Sequence, residues 1–122
     1  MLASRASYKK MSSYNLTILR SNKVEQLVTF YSRLLEVNFD EHTDHGPTHH
    51  GTQVGDVYLE IYRTKNLQGQ LDGIGFAMSE LEKALERVGK EHLHQSIQRN
   101  GNNISAMLKD PDGRIVFLTE QK

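Results

Sequence analysis

The sequence predicts an α+β fold: two tandem βαβββ modules forming a curved mixed sheet. Three observations predict it. A strand, a capping pattern and an amphipathic helical stripe occur in that order twice. A tight glycine turn precedes the last strand of each half. The matching features also stand 57 residues apart, with Asn22 answering to Ser79, Val24 to Leu81, Glu25 to Glu82, Val28 to Leu85 and Gly55-Asp56 to Asp112-Gly113. Identity between the halves is low, so the likeness lies in caps, stripes and turns that share one register. Two copies make a paired module and not a solenoid.

Module one spans residues 14–66. Residues 14–20 alternate well enough for a strand. Asn22 stands three residues before Glu25, the capping-box spacing, and Val24, Leu27, Val28, Tyr31, Leu34 and Leu35 follow as one apolar helical stripe. Residues 37–40 and a polar, histidine-rich loop come next. Strands at 49–54 and 57–63 are joined by Gly55-Asp56; a two-residue turn pairs Val54 with Val57 and sets His49 opposite Tyr62.

Module two spans residues 67–122. A strand at 73–78 leads to Ser79 with Glu82, a second capping box, and to the stripe Leu81, Ala84, Leu85 and Val88. Residues 92–97 make a less regular strand, 100–103 a turn and 104–108 another strand. Asp110-Pro111-Asp112-Gly113 is a turn signal, and 114–120 is the last strand. Residues 1–13 read as an N-terminal extension, expected to be flexible, with Met11 an alternative start.

With 122 residues, 37% hydrophobic and 25% charged, the chain can bury a core without disulfides or a structural metal. Fifteen Lys and Arg balance 15 Asp and Glu, so the basic footprint of a nucleic-acid binder is missing. The absence of cysteine removes disulfides, thiolate metal sites and thiol nucleophiles, and it fits a reducing cytoplasm. No apolar run approaches the length of a membrane helix, and the N-terminus lacks a signal-peptide core. The expectation is a cytoplasmic domain with neither nucleic acid nor membrane as partner.

The run from Leu16 to Leu35, with Leu19-Arg20 and Phe30-Tyr31 inside it, resembles the first module of the vicinal oxygen chelate superfamily. That superfamily includes glyoxalase I, bleomycin-resistance proteins and extradiol dioxygenases. Asp110-Pro111-Asp112-Gly113 followed by an apolar strand is similar to its closing motif, and Val57-Tyr58-Leu59-Glu60-Ile61-Tyr62 to its fourth strand. The resemblance covers residues 14–120. Its specificity lies in the ordered set within a duplicated unit, since Asp-Pro-Asp-Gly alone is only a good turn. Glu36 departs from the pattern, where the family has glycine as a left-handed cap, and implies a different helix exit.

Enzymes of the family hold a divalent metal with four inward side chains, two per module, on the first and last strands. The resemblance places these positions at Leu16 and Glu60, and the 57-residue step adds Gly73 and Phe117. Of the four, only Glu60 can coordinate a metal, and a lone carboxylate falls short of the three or four ligands a catalytic site needs. The expectation is therefore no metal and no cofactor, with a divalent metal the minority alternative.

Side chains two apart on a strand share a face. Leu16, Ile18 and Arg20 form one set, Tyr58, Glu60 and Tyr62 a second, and Ile115, Phe117 and Thr119 a third, while Gly73, Gly75 and Ala77 leave room. The alternate positions (Thr17, Leu19, Val57, Leu59, Ile61, Val116 and Leu118) should pack on the helices. The predicted cleft wall is Leu16, Ile18, Arg20, His49, Tyr58, Glu60, Tyr62, Gly73, Gly75 and Phe117. The alternative is that the aromatics fill a closed barrel.

His42, His45, His49 and His50 crowd one segment with Glu41 and Asp44. They could hold a metal unrelated to the family's, but their spacing matches no established ligand pattern, and a solvated loop explains them as well. His49 should lie diagonal to Glu60, within hydrogen-bond reach. The pair can act as general base and orienter, or simply as a structural hydrogen bond. Arg20 resembles the arginine with which glyoxalase I grips a substrate carboxylate; a solvated strand-end arginine is the alternative. Glu91, His92 and His94 read as a surface strand without a functional role.

Three functions remain open, because fold alone cannot choose among them. One is a metal-free small-molecule binder, similar to bleomycin-resistance proteins. Another is a glyoxalase-like lyase, isomerase or dioxygenase with a site rebuilt around Glu60 and His49. The last is a non-catalytic interaction module. The resemblance also implies a homodimer.

Overall fold

The computed structural model describes residues 12–43, 46–67 and 72–121. The elements run β1 (Leu16–Ser21), α1 (Val24–Leu35), β2 (Asp40–His42), β3 (His49–Val54), β4 (Val57–Arg63), β5 (Ile74–Ala77), α2 (Leu81–Val88), a 3-10 turn (Lys90–His92), β6 (Leu93–Asn100), β7 (Asn103–Lys109) and β8 (Ile115–Gln121). This is βαβββ twice. The strands expected from the sequence form two mixed four-stranded sheets, one per module, ordered β1-β4-β3-β2 and β5-β8-β7-β6. Residues 1–11 of the expected extension, and Asp44 and His45 of the histidine-rich segment, lie outside the described residues.

The repeat is visible in the strand register. Thr17 pairs with Leu59 across parallel β1 and β4, and Ile74 with Val116 across parallel β5 and β8, so the 57-residue step holds. Gly55, at φ 58°, closes the β3–β4 hairpin with Val54 on Val57 and His49 on Tyr62. A positive φ at the first position of a two-residue turn is what glycine supplies without steric cost. The repeat slips at β7: Gln53 pairs with Tyr58, but Lys109 pairs with Ile115, so β3 and β7 are offset by 56.

Neither predicted capping box forms. Each helix starts one residue later than the boxes require: Lys23 and Glu80 occupy the capping positions without a side-chain bond, which puts Glu25 and Glu82 one place short of N3. Glu25 bonds Arg63 at 2.7 Å and Glu82 bonds Arg99 at 3.0 Å. Ahead of α1 the Lys23 amide donates to Ser21 Oγ at 2.8 Å, and in α2 the Leu81 amide donates to Glu120 Oε1 at 3.0 Å.

The α1 exit also differs from expectation. Glu36 does not redirect the helix; it adopts the left-handed cap itself, at φ 53° and ψ 53°, with its amide and that of Val37 both turned to the Ser32 carbonyl. The cap geometry is kept and a side chain is forced onto it.

One core serves both modules. Leu27, Tyr31 and Leu34 of α1, Leu81 and Leu85 of α2, and Leu59, Ile61, Leu108, Val116 and Leu118 of the sheets are all at most 2% exposed and belong to one cluster. Leu19, Leu59, Ile61, Val116 and Leu118 therefore face the helices as alternation required. Arg87 of α2 donates to the carbonyls of Arg33 and Leu34 at 2.6 and 2.8 Å, where the end of α1 favours a cation.

A buried polar joint ties the modules further. The longer β7–β8 connection presents Asp110, whose Oδ2 accepts from the Tyr31 hydroxyl at 2.8 Å and from Arg114 Nη1 at 2.6 Å. Its Oδ1 accepts the amides of Asp112 and Arg114, and Arg114 Nη2 reaches the Arg20 carbonyl at 3.2 Å. Burial first, and then the Asp110 charge, pushes the Tyr31 hydroxyl well above the ordinary tyrosine range. Among the described residues, no helix is long and apolar enough to cross a membrane.

Candidate functional site

The sheet faces turned away from the core carry the predicted cleft residues. Strand pairing arranges those of module one in three rows: Leu16, Tyr58 and Gln53; Ile18, Glu60, Gly51 and Asp40; and Arg20, Tyr62, His49 and His42. Seven of the ten residues expected in the wall (Leu16, Ile18, Arg20, His49, Tyr58, Glu60 and Tyr62) lie in these rows. Gly75 and Phe117 pair on the corresponding face of module two, with Gly73 just ahead of β5.

His49 anchors the polar part. It is 8% exposed, and its ring stacks on Tyr62 at 4.3 Å between centroids with a 12° interplanar angle. Nε2 lies 3.3 Å from Glu60 Oε2, the diagonal contact expected from the register. Nδ1 lies 3.1 Å from the Pro47 carbonyl, which can only accept, so Nδ1 carries the hydrogen and Nε2 faces the carboxylate.

Tyr58 does not stand up from its row. Its ring lies across Gly51, where a β-carbon would fall 2.6 Å from Cε2, and its hydroxyl comes within 2.9 Å of His42 Nε2. Glycine at 51 is therefore what lets the ring lie flat. Consecutive ring centroids stand 6.4 Å apart for Tyr58–His42, 5.3 Å for His42–His49 and 4.3 Å for His49–Tyr62. Burial first, and then the Glu60 charge, raises both the Tyr58 and Tyr62 hydroxyls above the ordinary value; Arg20 pulls Tyr62 slightly the other way.

The wall expected from the sequence leaves out His42 and Gly51. The sequence places His42 in a histidine-rich loop, but it lies on β2 and pairs with His49. A glycine inside a predicted strand was the available signal of a close approach at 51. Strand alternation splits the histidine cluster: His50, on the opposite face from His49, has Nε2 3.9 Å from Glu41 Oε2. Among the described residues, no group of three or more His, Cys, Asp or Glu is arranged to hold a metal ion. His92, expected on a surface strand, instead ends a 3-10 turn and packs edge-on against Phe30 at 5.0 Å.

Module two offers a smoother wall. Phe117 pairs with Gly75 and Met107, and Thr119 with Ala77 and Ser105. Phe117 is 46% exposed, Leu16 43% and Ile18 41%. These side chains do not fill a closed barrel, and the faces that carry them are open.

No family model matches the sequence, and neither does any curated protein. Solved structures do match. TioX from Micromonospora sp. ML1 aligns with a TM-score of 0.68 at 14% identity, over 91% of this chain and 100% of its own. A putative glyoxalase family protein from Bacillus anthracis aligns at 0.70 and 12% identity, over 92% of this chain and 97% of its own. TnmS3, an antibiotic binding protein from Streptomyces sp. CB03234, aligns at 0.70 and 14%, over 92% and 98%. The chain has the vicinal oxygen chelate fold. At these identities the likeness is one of fold. Of the four ligand positions that the resemblance leads one to expect, Leu16 and Phe117 present exposed hydrocarbon and Gly73 no side chain, and Glu60 carries an oxygen donor.

Proposed function

We propose that this chain binds a small, partly apolar molecule on the open faces of its sheets, without the catalytic metal of the fold's enzymes. The observation that carries this reading is the pairing of exposed Leu16, Ile18 and Phe117 with a recessed polar cluster at His49, Glu60, Tyr58 and Tyr62. An apolar wall with a few convergent polar groups is the usual make-up of a ligand site. The structural neighbours include one titled an antibiotic binding protein, which agrees with this reading. Two copies of the chain complete the cleft, because a free face exposing three large apolar side chains gains by being covered. With no cysteine to oxidise, a cytoplasmic setting suits the protein.

A second reading, acid–base chemistry, draws on the His49–Glu60 contact at 3.3 Å. Untagged protein screened for thermal shift against drugs and metabolites, with metal analysis in parallel, separates the two. Ligands that raise the melting temperature of metal-free protein support binding. Stoichiometric bound metal, or turnover of a stabilising ligand, transfers the case to the enzyme reading. Light scattering should give twice the chain mass, and Ile18→Asp should return it to monomer.

A further inference from the structure

We propose that the rings around Glu60 form a cage for an ammonium group, so that the bound molecule carries a protonated amine on an apolar body. This rests on the small-molecule reading above and adds the chemical class of the ligand. Glu60 has Tyr58 and Tyr62 as same-face neighbours along β4, His49 at 3.3 Å to one side and Ile18 as its partner on β1. Its remaining partner, Gly51, has no side chain, and the Tyr58 ring occupies that space with its hydroxyl at His42. The carboxylate, its side chain 17% exposed, thus stands at the floor of an arc of four rings.

Two features of this arrangement select a cation that bears N–H groups. Tyrosine faces and a carboxylate attract positive charge together, and Asp40 in the same row adds to the negative field. His49 bonds the Pro47 carbonyl through Nδ1 and sets Nε2 3.3 Å from Glu60 Oε2, so the carboxylate is held in place within the ring cluster. A carboxylate forms charge-assisted hydrogen bonds with a cation that bears N–H groups. A primary or secondary ammonium supplies them and a quaternary one does not. Arg20 is exposed at the end of the Tyr62 row, so its positive charge closes that side to a cation. The apolar body then lies the other way, over Ile18 and Leu16.

The test uses the full chain and three probes of one shape: 2-phenylethylammonium, 2-phenylethanol and 2-phenylacetate, followed by NMR on the tyrosine and histidine rings. The ammonium should shift Tyr58, Tyr62 and His49 and bind about tenfold tighter than the alcohol, with the carboxylate weaker still. Glu60→Gln should abolish that preference while leaving alcohol binding in place. Gly51→Ala, which lifts the Tyr58 ring, should reduce the preference severalfold, and Tyr58→Leu should do so without any change at Gly51. Equal binding of ammonium and alcohol, or a preference that survives Glu60→Gln in folded protein, overturns the cage and leaves the small-molecule reading standing. No ring shift with any of the three probes also overturns the cage, whereas the thermal-shift screen judges the broader reading independently.

Discussion

The carboxylate of Glu120 caps the backbone amide of Leu81 at 3.0 Å, across 39 residues of chain. Helix α2 therefore begins against the last strand, with an acidic group where the helix dipole favours one. Glu120→Ala should lower stability by about 1–2 kcal/mol, the usual range for a lost cap. Ser79→Ala, at the predicted but unused box, should change it by less than about 0.5 kcal/mol. Urea denaturation of the two variants decides this; equal effects would return the cap to Ser79.

Asp110 accepts both the Tyr31 hydroxyl and the Arg114 guanidinium inside the protein. Tyr31→Phe should cost about 1.5–3 kcal/mol, as expected for a hydrogen bond to a charged group. Asp110→Ala strands a buried guanidinium and should cost about 3–5 kcal/mol. Chemical denaturation should rank the variants in that order.

Tyr31 also predicts a pH effect. Its hydroxyl is raised well above the ordinary value of 10.0, by burial and then by Asp110. A group raised in the folded state contributes stability that is complete below its unfolded value and is lost as pH climbs through its folded value. The stability contribution of Tyr31 should hold below about pH 10 and decline above it. Tyr31→Phe should flatten the alkaline limb of the stability curve.

Tyr58 and Tyr62 are raised by burial first and by Glu60 second. Glu60→Gln removes only the second cause, so both hydroxyls should titrate at lower pH than in the parent but still above an exposed tyrosine. Ultraviolet or NMR titration reads this directly. Unchanged titration of both would separate Glu60 from the rings.

Glu36 holds a left-handed conformation at φ 53°. Glu36→Gly should stabilise the protein by roughly 0.5–1 kcal/mol, because relief of side-chain strain outweighs the added freedom of the unfolded chain. The weak contact with half-buried Arg87 at 3.6 Å leaves the Glu36 carboxylate exposed and offsets little. A rise in melting temperature is expected; a fall would mean that the Arg87 contact matters more than the strain.

Much of this architecture could be read from residue order. The two-residue turn at Gly55-Asp56 determined that His49 faces Tyr62, since hairpin register follows from loop length and side chains alternate. The 57-residue step set the matching pairs Thr17–Leu59 and Ile74–Val116. The same step carries the positions that the resemblance puts at Leu16 and Glu60 over to Gly73 and Phe117, and that Leu16, Gly73 and Phe117 lack ligand atoms needs no coordinates to establish. These features depend on local periodicity and connectivity, which a linear sequence contains in full.

Tertiary structure decided the rest. It chose Glu120 over Ser79 as the cap, because the start of α2 lies against β8. It slipped β7 by one residue, and the longer connection there brings Asp110 to Tyr31. It laid Tyr58 over Gly51 as far as His42, on a strand, β2, too short to announce itself. Each outcome depends on which distant segments touch and what space lies between them. The duplicated fold was therefore written in the sequence, but the rings gather around Glu60 only once three strands are side by side.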